Sequence, residues 1–275
     1  MSLKLEKLDP QAQINAGSII TVIGKRNTGK TVLLRSLMYK LRDRIEFAIC
    51  MTPTASSAES FRQSMPPGCV YDGLDLDVID RLMEFQSDCA RRGKRLRSIL
   101  LVLDDCSWKA ADFKRPAPTL ARLYRNGRHL SITVFCILQD AMDYHIGLRN
   151  QCDLIIVLRE NSLQMRKRLH NCWFGILTFP EFQSCLDAVT ENYGALCLLN
   201  TVQKNTASEC VFWYRAKPAL PPFRLVNDIY FKLSELKRPL PRVNKSNERK
   251  GGAVAVETCA GIDDNSTVVG VSWKR

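Results

Sequence analysis

Short, almost continuously apolar runs alternate along the chain with longer segments in which apolar residues recur at helical spacing. The short runs predict strands over residues 18–23, 45–51, 98–103, 131–138 and 153–158. Apolar runs without polar alternation are typical of parallel strands that are buried on both faces of a sheet. The pattern therefore predicts a central sheet of mostly parallel strands.

The segments between these runs carry leucines and charged residues with a helical period. They predict helices over residues 31–42, 76–90, 119–126 and 162–171. Two later apolar runs, residues 195–199 and 210–214, predict a hairpin that closes one edge of the sheet. Strands that alternate with helices indicate an α/β fold with helices on both faces of the sheet.

The texture of the chain changes after the predicted hairpin. We expect a core over residues 1–216, a helical extension over residues 217–236 and a tail over residues 237–275. The extension follows the turn-rich stretch KPALPPF, and the tail is first basic and proline-broken, then rich in small and polar residues. Such composition is typical of a terminal segment outside the packed core.

One segment between the first predicted strand and helix has a recognisable chemistry. GKRNTGKT, from Gly24 to Thr31, matches the P-loop pattern G-x-x-x-x-G-K-[ST] in the strand–loop–helix context that this pattern requires. The lysine of such a loop reaches the β- and γ-phosphates of a nucleotide, and the last hydroxyl binds Mg²⁺. The predicted nucleotide-binding residues are Gly24, Asn27, Thr28, Gly29, Lys30, Thr31 and Val32.

Polar residues end two other predicted strands. The run SILLVLDD ends in Asp104 and Asp105, the pattern of a Walker B strand with two acids. We expect Asp104 to hold the Mg²⁺ shell, through water, and Asp105 to polarise an attacking water molecule. The run HLSITVFCILQD ends in Gln139, which is placed to sense the γ-phosphate if its strand lies between the Walker A and Walker B strands. Together these residues favour ATP hydrolysis.

The ordered set GKRNTGKT, ILLVLDD, LYRNGRHLSITVFCILQD and LRNQCDLIIVLRE resembles the FtsK/HerA superfamily of P-loop ATPases. Within it, the resemblance is to the genome-packaging ATPases of nucleocytoplasmic large DNA viruses, of the poxvirus type, and it runs over about residues 17–216. It implies a RecA-like core of the additional-strand class that works as a pentameric or hexameric ring. It also implies double-stranded DNA as substrate, capsid or other virion assembly proteins as partners, and the host cytoplasm or the virion as location.

A ring ATPase of this kind completes its site with an arginine from the neighbouring subunit. Arg128, at the entry to the Gln139 strand, is the first prediction for this residue, and Arg149 and Arg159 are the alternatives. The catalytic set is thus Lys30, Asp105, Gln139 and one of these arginines.

Charge and hydropathy narrow the classes of partner. Forty basic residues against 28 acidic ones give a net charge of +12, which favours nucleic acid as a partner. The predicted DNA contacts form one block before the Walker B strand, Arg91, Arg92, Lys94, Arg95 and Arg97, although a solvated helix end explains the same block. No apolar run is long enough to predict a membrane span, so we expect a soluble protein.

Two other functions are compatible with parts of this pattern. A HerA-like helicase or translocase of DNA repair or recombination would share the motifs, although it would be expected to carry a further domain ahead of the P-loop. A small-molecule or nucleotide kinase would share the P-loop, but it would leave Asp105 and Gln139 without a role.

Overall fold

A computed structural model describes residues 4–106, 117–143, 145–202 and 206–236. Within these residues, nine strands form one sheet, and their bounds are β1 (Glu6–Lys7), β2 (Ile19–Ile23), β3 (Phe47–Thr52), β4 (Val70–Asp72), β5 (Ile99–Asp104), β6 (Ile132–Leu138), β7 (Leu154–Val157), β8 (Gly194–Leu199) and β9 (Val211–Arg215). Their spatial order is β1-β9-β8-β7-β2-β6-β5-β3-β4.

Most neighbouring strands run in the same direction. The antiparallel pairs are the two that β8 makes, with β7 and with β9. The other pairs in the described sheet are parallel. The predicted α/β fold with a mostly parallel sheet is therefore confirmed.

Helices cover both faces of the sheet. The described helices are α1 (Pro10–Gln13), α2 (Lys30–Leu41), α3 (Ala55–Arg62), α4 (Leu76–Arg91), α5 (Pro118–Asn126), α6 (Ile146–Arg149), α7 (Leu163–Cys172), α8 (Phe179–Val189), α9 (Ala207–Cys210) and α10 (Asp228–Leu236). Helices α2 and α3 share one apolar cluster with the sheet, whereas α4, α5, α7 and α8 share the other.

The alternation of side chains along β2 shows how one strand supports both clusters. Ile19 and Ile23 belong to the cluster of α4 and α5, while Ile20 and Val22 belong to that of α2. Successive side chains of a strand point to opposite faces, so a strand between two helical layers must be apolar at every position. This explains why the strand runs in the sequence lack polar alternation.

The strand order brings three polar strand ends together. Strand β6 lies between β2, which precedes the P-loop, and β5, which ends in Asp104. This is the additional-strand arrangement that Gln139 predicted. Because β2, β5 and β6 are parallel, their carboxyl ends meet at one edge of the sheet, and we call this the carboxyl edge.

The structure contains elements that the hydrophobic pattern does not predict, among them the four-residue helices α1, α6 and α9. Strands β1 and β4 have two and three residues, which is too short for a periodic signal. Helix α3 is mostly polar, with Ala58 and Phe61 as its buried residues. Helix α8 lies in a stretch for which the pattern predicts neither a helix nor a strand. The predicted hairpin is confirmed as β8 and β9, but β1 pairs outside β9 and forms the actual edge.

The predicted extension over residues 217–236 packs on the core. Leu225 and Val226 are buried, and the Leu225 N–H donates to the Ser64 carbonyl oxygen at 2.9 Å. The tail over residues 237–275 lies outside the described residues. In the part of the chain described here, no helix has the length and apolar character that crossing a membrane requires.

Candidate active site

The loop between β2 and α2 adopts a backbone that suits an anion. Asn27 (φ 61°) and Gly29 (φ 95°) are left-handed, which glycine adopts without steric cost and asparagine tolerates. A β-carbon on Gly24 would lie 2.6 Å from Thr28 Oγ1 and 3.0 Å from Leu158 Cβ, so a larger residue does not fit there. A loop of this kind before a helix N-terminus offers backbone N–H groups to phosphate.

Lys30, the first residue of α2, lies between the loop and the acidic strand end. Its Nζ donates to the Gly24 carbonyl oxygen at 2.8 Å and lies 3.7 Å from Asp105 Oδ1. Burial lowers the pKa of Lys30, and the carboxylates of Asp105 and Asp104 counteract this effect. A cation in this position, with few water contacts, favours a strongly negative ligand.

The other predicted loop residues have structural contacts of their own. Thr28 Oγ1 donates to the Lys25 carbonyl oxygen at 2.8 Å and so closes the loop. Thr31 is the second residue of α2, and Val32 packs against the apolar cluster on the α2 face of the sheet. The structure therefore brings all seven predicted residues into one loop and first helical turn.

Asp104 is buried at the end of β5, with 4% of its surface exposed. Thr52 Oγ1, at the end of β3, donates to Asp104 Oδ2 at 3.2 Å, and the Ser57 side chain is a second hydrogen-bond partner. Burial raises the pKa of Asp104, and the neighbouring Asp105 carboxylate raises it further. A nearby cation would relieve both effects.

Asp105 leaves the strand in a left-handed conformation, with φ 50°. Its N–H still donates to the Ile137 carbonyl oxygen of β6 at 3.2 Å. Gln139 Nε2 donates to Asp105 Oδ2 at 3.0 Å, whereas Asp105 Oδ1 is buried and accepts no hydrogen bond. The predicted pair of Asp105 and Gln139 is thus in contact, and Asp105 Oδ1 faces Lys30 Nζ at 3.7 Å.

One ion pair at the carboxyl edge was missed by sequence reasoning. Lys25, within the P-loop, pairs with the buried Glu160 at 2.7 Å, beyond the end of β7. Glu160 Oε1 also accepts the Ser162 N–H at 2.7 Å. The two members of this pair are far apart in sequence, and only the order of β2 and β7 brings them together. An acidic residue shortly after a buried strand was the available signal.

Arg128 lies at the opposite edge of the sheet, before β6, and we call this the amino edge. Its guanidinium pairs with Asp153, whose second oxygen accepts the Ile19 N–H at 2.8 Å. Strand β6 has seven residues, so Arg128 lies about 20 Å from Gln139 and the P-loop edge of its own chain. It therefore does not belong to the site formed by its own subunit.

The two alternative arginines differ in their surroundings. Arg149 Nη1 donates to Cys172 Sγ at 2.6 Å, and its guanidinium lies 6.0 Å from the centre of the Trp173 ring. Arg159 is exposed and follows β7 at the carboxyl edge. Of the three, Arg159 is placed on the same edge as the P-loop.

The basic block before β5 also lies at the amino edge. Its five predicted DNA-contacting residues, Arg91, Arg92, Lys94, Arg95 and Arg97, are all exposed. Arg91 pairs with Asp88, and Arg95 pairs with Glu46. For Arg92, Lys94 and Arg97, the described residues provide no ion pair. The block thus has basic side chains whose charge is not neutralised by an ion pair within the described residues.

Comparison with known proteins finds relatives of this chain in viruses. No protein-family model matches the chain. Protein 088R of Invertebrate iridescent virus 3 is 34% identical over 211 residues, which are 76% of this chain and 78% of that protein. Protein 015R of Frog virus 3 is 27% identical over 211 residues, which are 75% of this chain and 65% of that protein.

Among solved structures, the fold resembles that of a viral NTPase. The genome-packaging NTPase B204 of Sulfolobus turreted icosahedral virus 2, in complex with AMPPCP, superposes with a TM-score of 0.54 at 16% sequence identity. The match covers 75% of this chain and all of B204. At this identity the likeness establishes a shared fold.

Proposed function

The chain belongs to one family with protein 088R of Invertebrate iridescent virus 3 and has the fold of the viral genome-packaging NTPase B204, and we propose that it is a P-loop ATPase of the FtsK/HerA type. From this premise we propose that it hydrolyses ATP and uses the energy to move double-stranded DNA into a viral capsid. The observation that carries the proposal is Asp105, which Gln139 holds beside Lys30 at the carboxyl edge. An acid at this place activates water, which a phosphotransferase does not need.

The residues of the carboxyl edge would have separate roles in hydrolysis. The P-loop backbone and Lys30 bind the phosphates, and Lys30 stabilises the negative charge that grows on the γ-phosphate oxygens. Asp105 accepts a proton from the attacking water through Oδ1, which accepts no hydrogen bond within the described structure. Gln139 fixes the orientation of this carboxylate and senses whether a γ-phosphate is present.

The donor set fits a nucleotide with Mg²⁺. The Thr31 hydroxyl and the Asp104 carboxylate are hard oxygen donors of the kind that Mg²⁺ prefers, and Asp104 would act through water. Thr52 and Ser57 fix the Asp104 side chain by hydrogen bonds. When bound, Mg²⁺ would neutralise part of the negative charge of the phosphates.

The proposal includes a ring of five or six copies whose sites are shared between subunits. Each site would be completed by an arginine of the neighbouring subunit, and Arg128 remains the first prediction. Its side chain is 61% exposed despite the pair with Asp153. Arg149 is held by Cys172, and the exposed Arg159 has no ion pair in the described part of the chain. We expect assembly at the virus assembly site in the host cytoplasm, on capsid or other virion proteins.

The decisive experiment measures ATP hydrolysis by the full chain with and without long duplex DNA, over a range of protein concentrations. A DNA-moving ring should hydrolyse faster with DNA, and its specific activity should rise as subunits assemble. Lys30→Ala is the inactive control. Hydrolysis that ignores both DNA and protein concentration would contradict the motor function, and phosphate transfer to a small acceptor would favour a kinase.

The same assay tests the shared site. Arg128→Ala, Arg149→Ala and Arg159→Ala are each measured alone and mixed with Lys30→Ala. A variant that lacks the shared arginine should regain activity in the mixture, because its intact P-loop then receives the arginine of a Lys30→Ala subunit. If none of the three regains activity, the predicted set of arginines is wrong.

A further inference from the structure

Tyr193 lies at the P-loop although it is distant in sequence and is not among the predicted site residues. It ends the loop between α8 and β8. Because β8 is antiparallel to β7, the residues that precede β8 lie at the edge where β7 ends. Strand β7 in turn pairs with β2, and the P-loop follows β2 at that same edge. The single reversed strand thus brings this loop to the nucleotide site.

The backbone at Tyr193 is held in an uncommon conformation. Asn192 (φ 49°) and Tyr193 (φ 61°) are both left-handed, which is rare for a bulky residue such as tyrosine. The Ala216 N–H donates to the Tyr193 carbonyl oxygen at 3.0 Å. A β-carbon on Gly194 would lie 1.7 Å from the Val189 carbonyl oxygen, so the loop is tightly packed at that point. Strain that surrounding contacts maintain is often found at ligand sites.

The Tyr193 ring lies against the phosphate-binding loop and is open to solvent. A β-carbon on Gly29 would lie 2.9 Å from Tyr193 Cδ1 and 3.5 Å from Cε1. Tyr193 is nevertheless 44% exposed. Within the described residues, Phe85 is the other aromatic residue of comparable exposure, and it lies on α4. An aromatic side chain held at a site for phosphates, yet left uncovered, is available to a planar group attached to those phosphates.

We propose that Tyr193 provides the aromatic contact for the nucleobase of the bound nucleotide, a role that rests on the nucleotide binding proposed above. The P-loop binds phosphates, so it gives no recognition of the base. Stacking between a base and an aromatic ring uses the π-face that every base has. The contact therefore adds affinity for nucleoside triphosphates over inorganic polyphosphate, with little choice among the purine bases.

The test compares Mg²⁺–ATP with Mg²⁺–tripolyphosphate, which has the phosphates and no base. Dissociation constants are measured by calorimetry for the full chain and for Tyr193→Asn, since asparagine tolerates a left-handed backbone. Loss of one stacking contact should weaken ATP binding about 5- to 100-fold, while tripolyphosphate binding stays unchanged. Tyr193→Phe should bind ATP like the wild type. Phe85→Ala is the matched control and should leave both ligands unaffected.

Three results would overturn the inference. A fourth result would show that nucleotide binding, on which the inference rests, is itself wrong. Unchanged ATP binding by Tyr193→Asn excludes a base contact. Equal weakening of both ligands shows that the ring supports the P-loop instead. A Tyr193→Trp variant covers the case of poor folding: ATP should quench its fluorescence more than tripolyphosphate does, and equal quenching contradicts the proposal. If wild-type protein binds neither ligand, the nucleotide function itself fails.

Discussion

Replacing Asp105 by asparagine isolates the chemical step of the proposed hydrolysis from binding and folding. Asparagine tolerates the left-handed backbone (φ 50°) that Asp105 adopts. Its amide oxygen accepts the hydrogen bond that Gln139 Nε2 donates at 3.0 Å. The substitution therefore preserves shape and one contact, and it removes the negative charge and the basic oxygen.

Asp105→Asn has two electrostatic effects on the free energy of unfolding, and they have opposite signs. Asp105 Oδ1 lies 3.7 Å from Lys30 Nζ, which corresponds to about 4 kcal/mol of attraction at an effective dielectric constant of about 20. The same carboxylate repels Asp104 and contributes to the raised pKa of that group. Because both terms disappear together, we expect the free energy of unfolding to change by only about 1 kcal/mol.

Hydrolysis should respond much more strongly than stability. A positioned general base contributes about 10²- to 10⁴-fold to the rate, so Asp105→Asn should lower kcat by this factor. Nucleotide affinity should be retained or increase, since one negative charge near the γ-phosphate is removed. Single-turnover hydrolysis, calorimetric ATP binding and thermal unfolding separate these effects, with Asp105→Glu as the control that keeps a carboxylate. Hydrolysis by Asp105→Asn close to the wild-type rate would refute the assignment of the base.

Three further perturbations test other parts of the molecule. Gly29→Ala should weaken ATP binding by at least about tenfold, because the left-handed backbone and the nearby Tyr193 ring both oppose an added methyl group. Gly73→Ala is the control, because Gly73 has a similar φ of 88° but nothing within 4 Å of the added β-carbon. Arg128→Ala should lower the free energy of unfolding by about 1 kcal/mol, because the buried Asp153 loses its cation. Urea unfolding measures this change, and an unchanged free energy of unfolding would contradict a structural role for Arg128. Burial raises the pKa of Asp104, so the folded protein binds this proton more tightly than the unfolded chain. Without nucleotide, stability should fall as pH rises from the ordinary aspartate range through the raised pKa, and Asp104→Asn should flatten this slope in thermal unfolding.

Much of the fold is predictable because its signals are local. An apolar run such as residues 131–138 identifies a buried strand without knowledge of its neighbours, and the P-loop is a contiguous motif. The expected place of Gln139, on the strand between the Walker A and Walker B strands, is confirmed by the pairing of β6 with β2 and β5. The resemblance to viral packaging ATPases is supported by the iridovirus relatives and by the fold of B204.

The remaining features depend on contacts between distant parts of the chain. Lys25 and Glu160 pair because β2 lies beside β7, and Arg128 reaches Asp153 because β6 and β7 flank β2. Tyr193 reaches the P-loop only because β8 is reversed. Strand order is a tertiary property, and no residue pattern within these segments specifies it. The ion-pair partners of charged side chains are therefore the part of a site that is hardest to predict from the sequence.

The separation of the two sheet edges constrains how DNA at the predicted contact residues would affect the proposed catalytic site. Strand β5 connects the basic block at the amino edge with Asp104 at the carboxyl edge, and all six of its residues are buried. Its length of about 17 Å is surrounded by close-packed side chains of low compressibility, so the subunit responds to a local force largely as one body. We therefore expect a partner bound at residues 91–97 to act on Asp105 by shifting one whole subunit against the next, where the proposed shared arginine would enter the site. On this reasoning, DNA should stimulate assembled subunits and leave an isolated subunit at its basal rate.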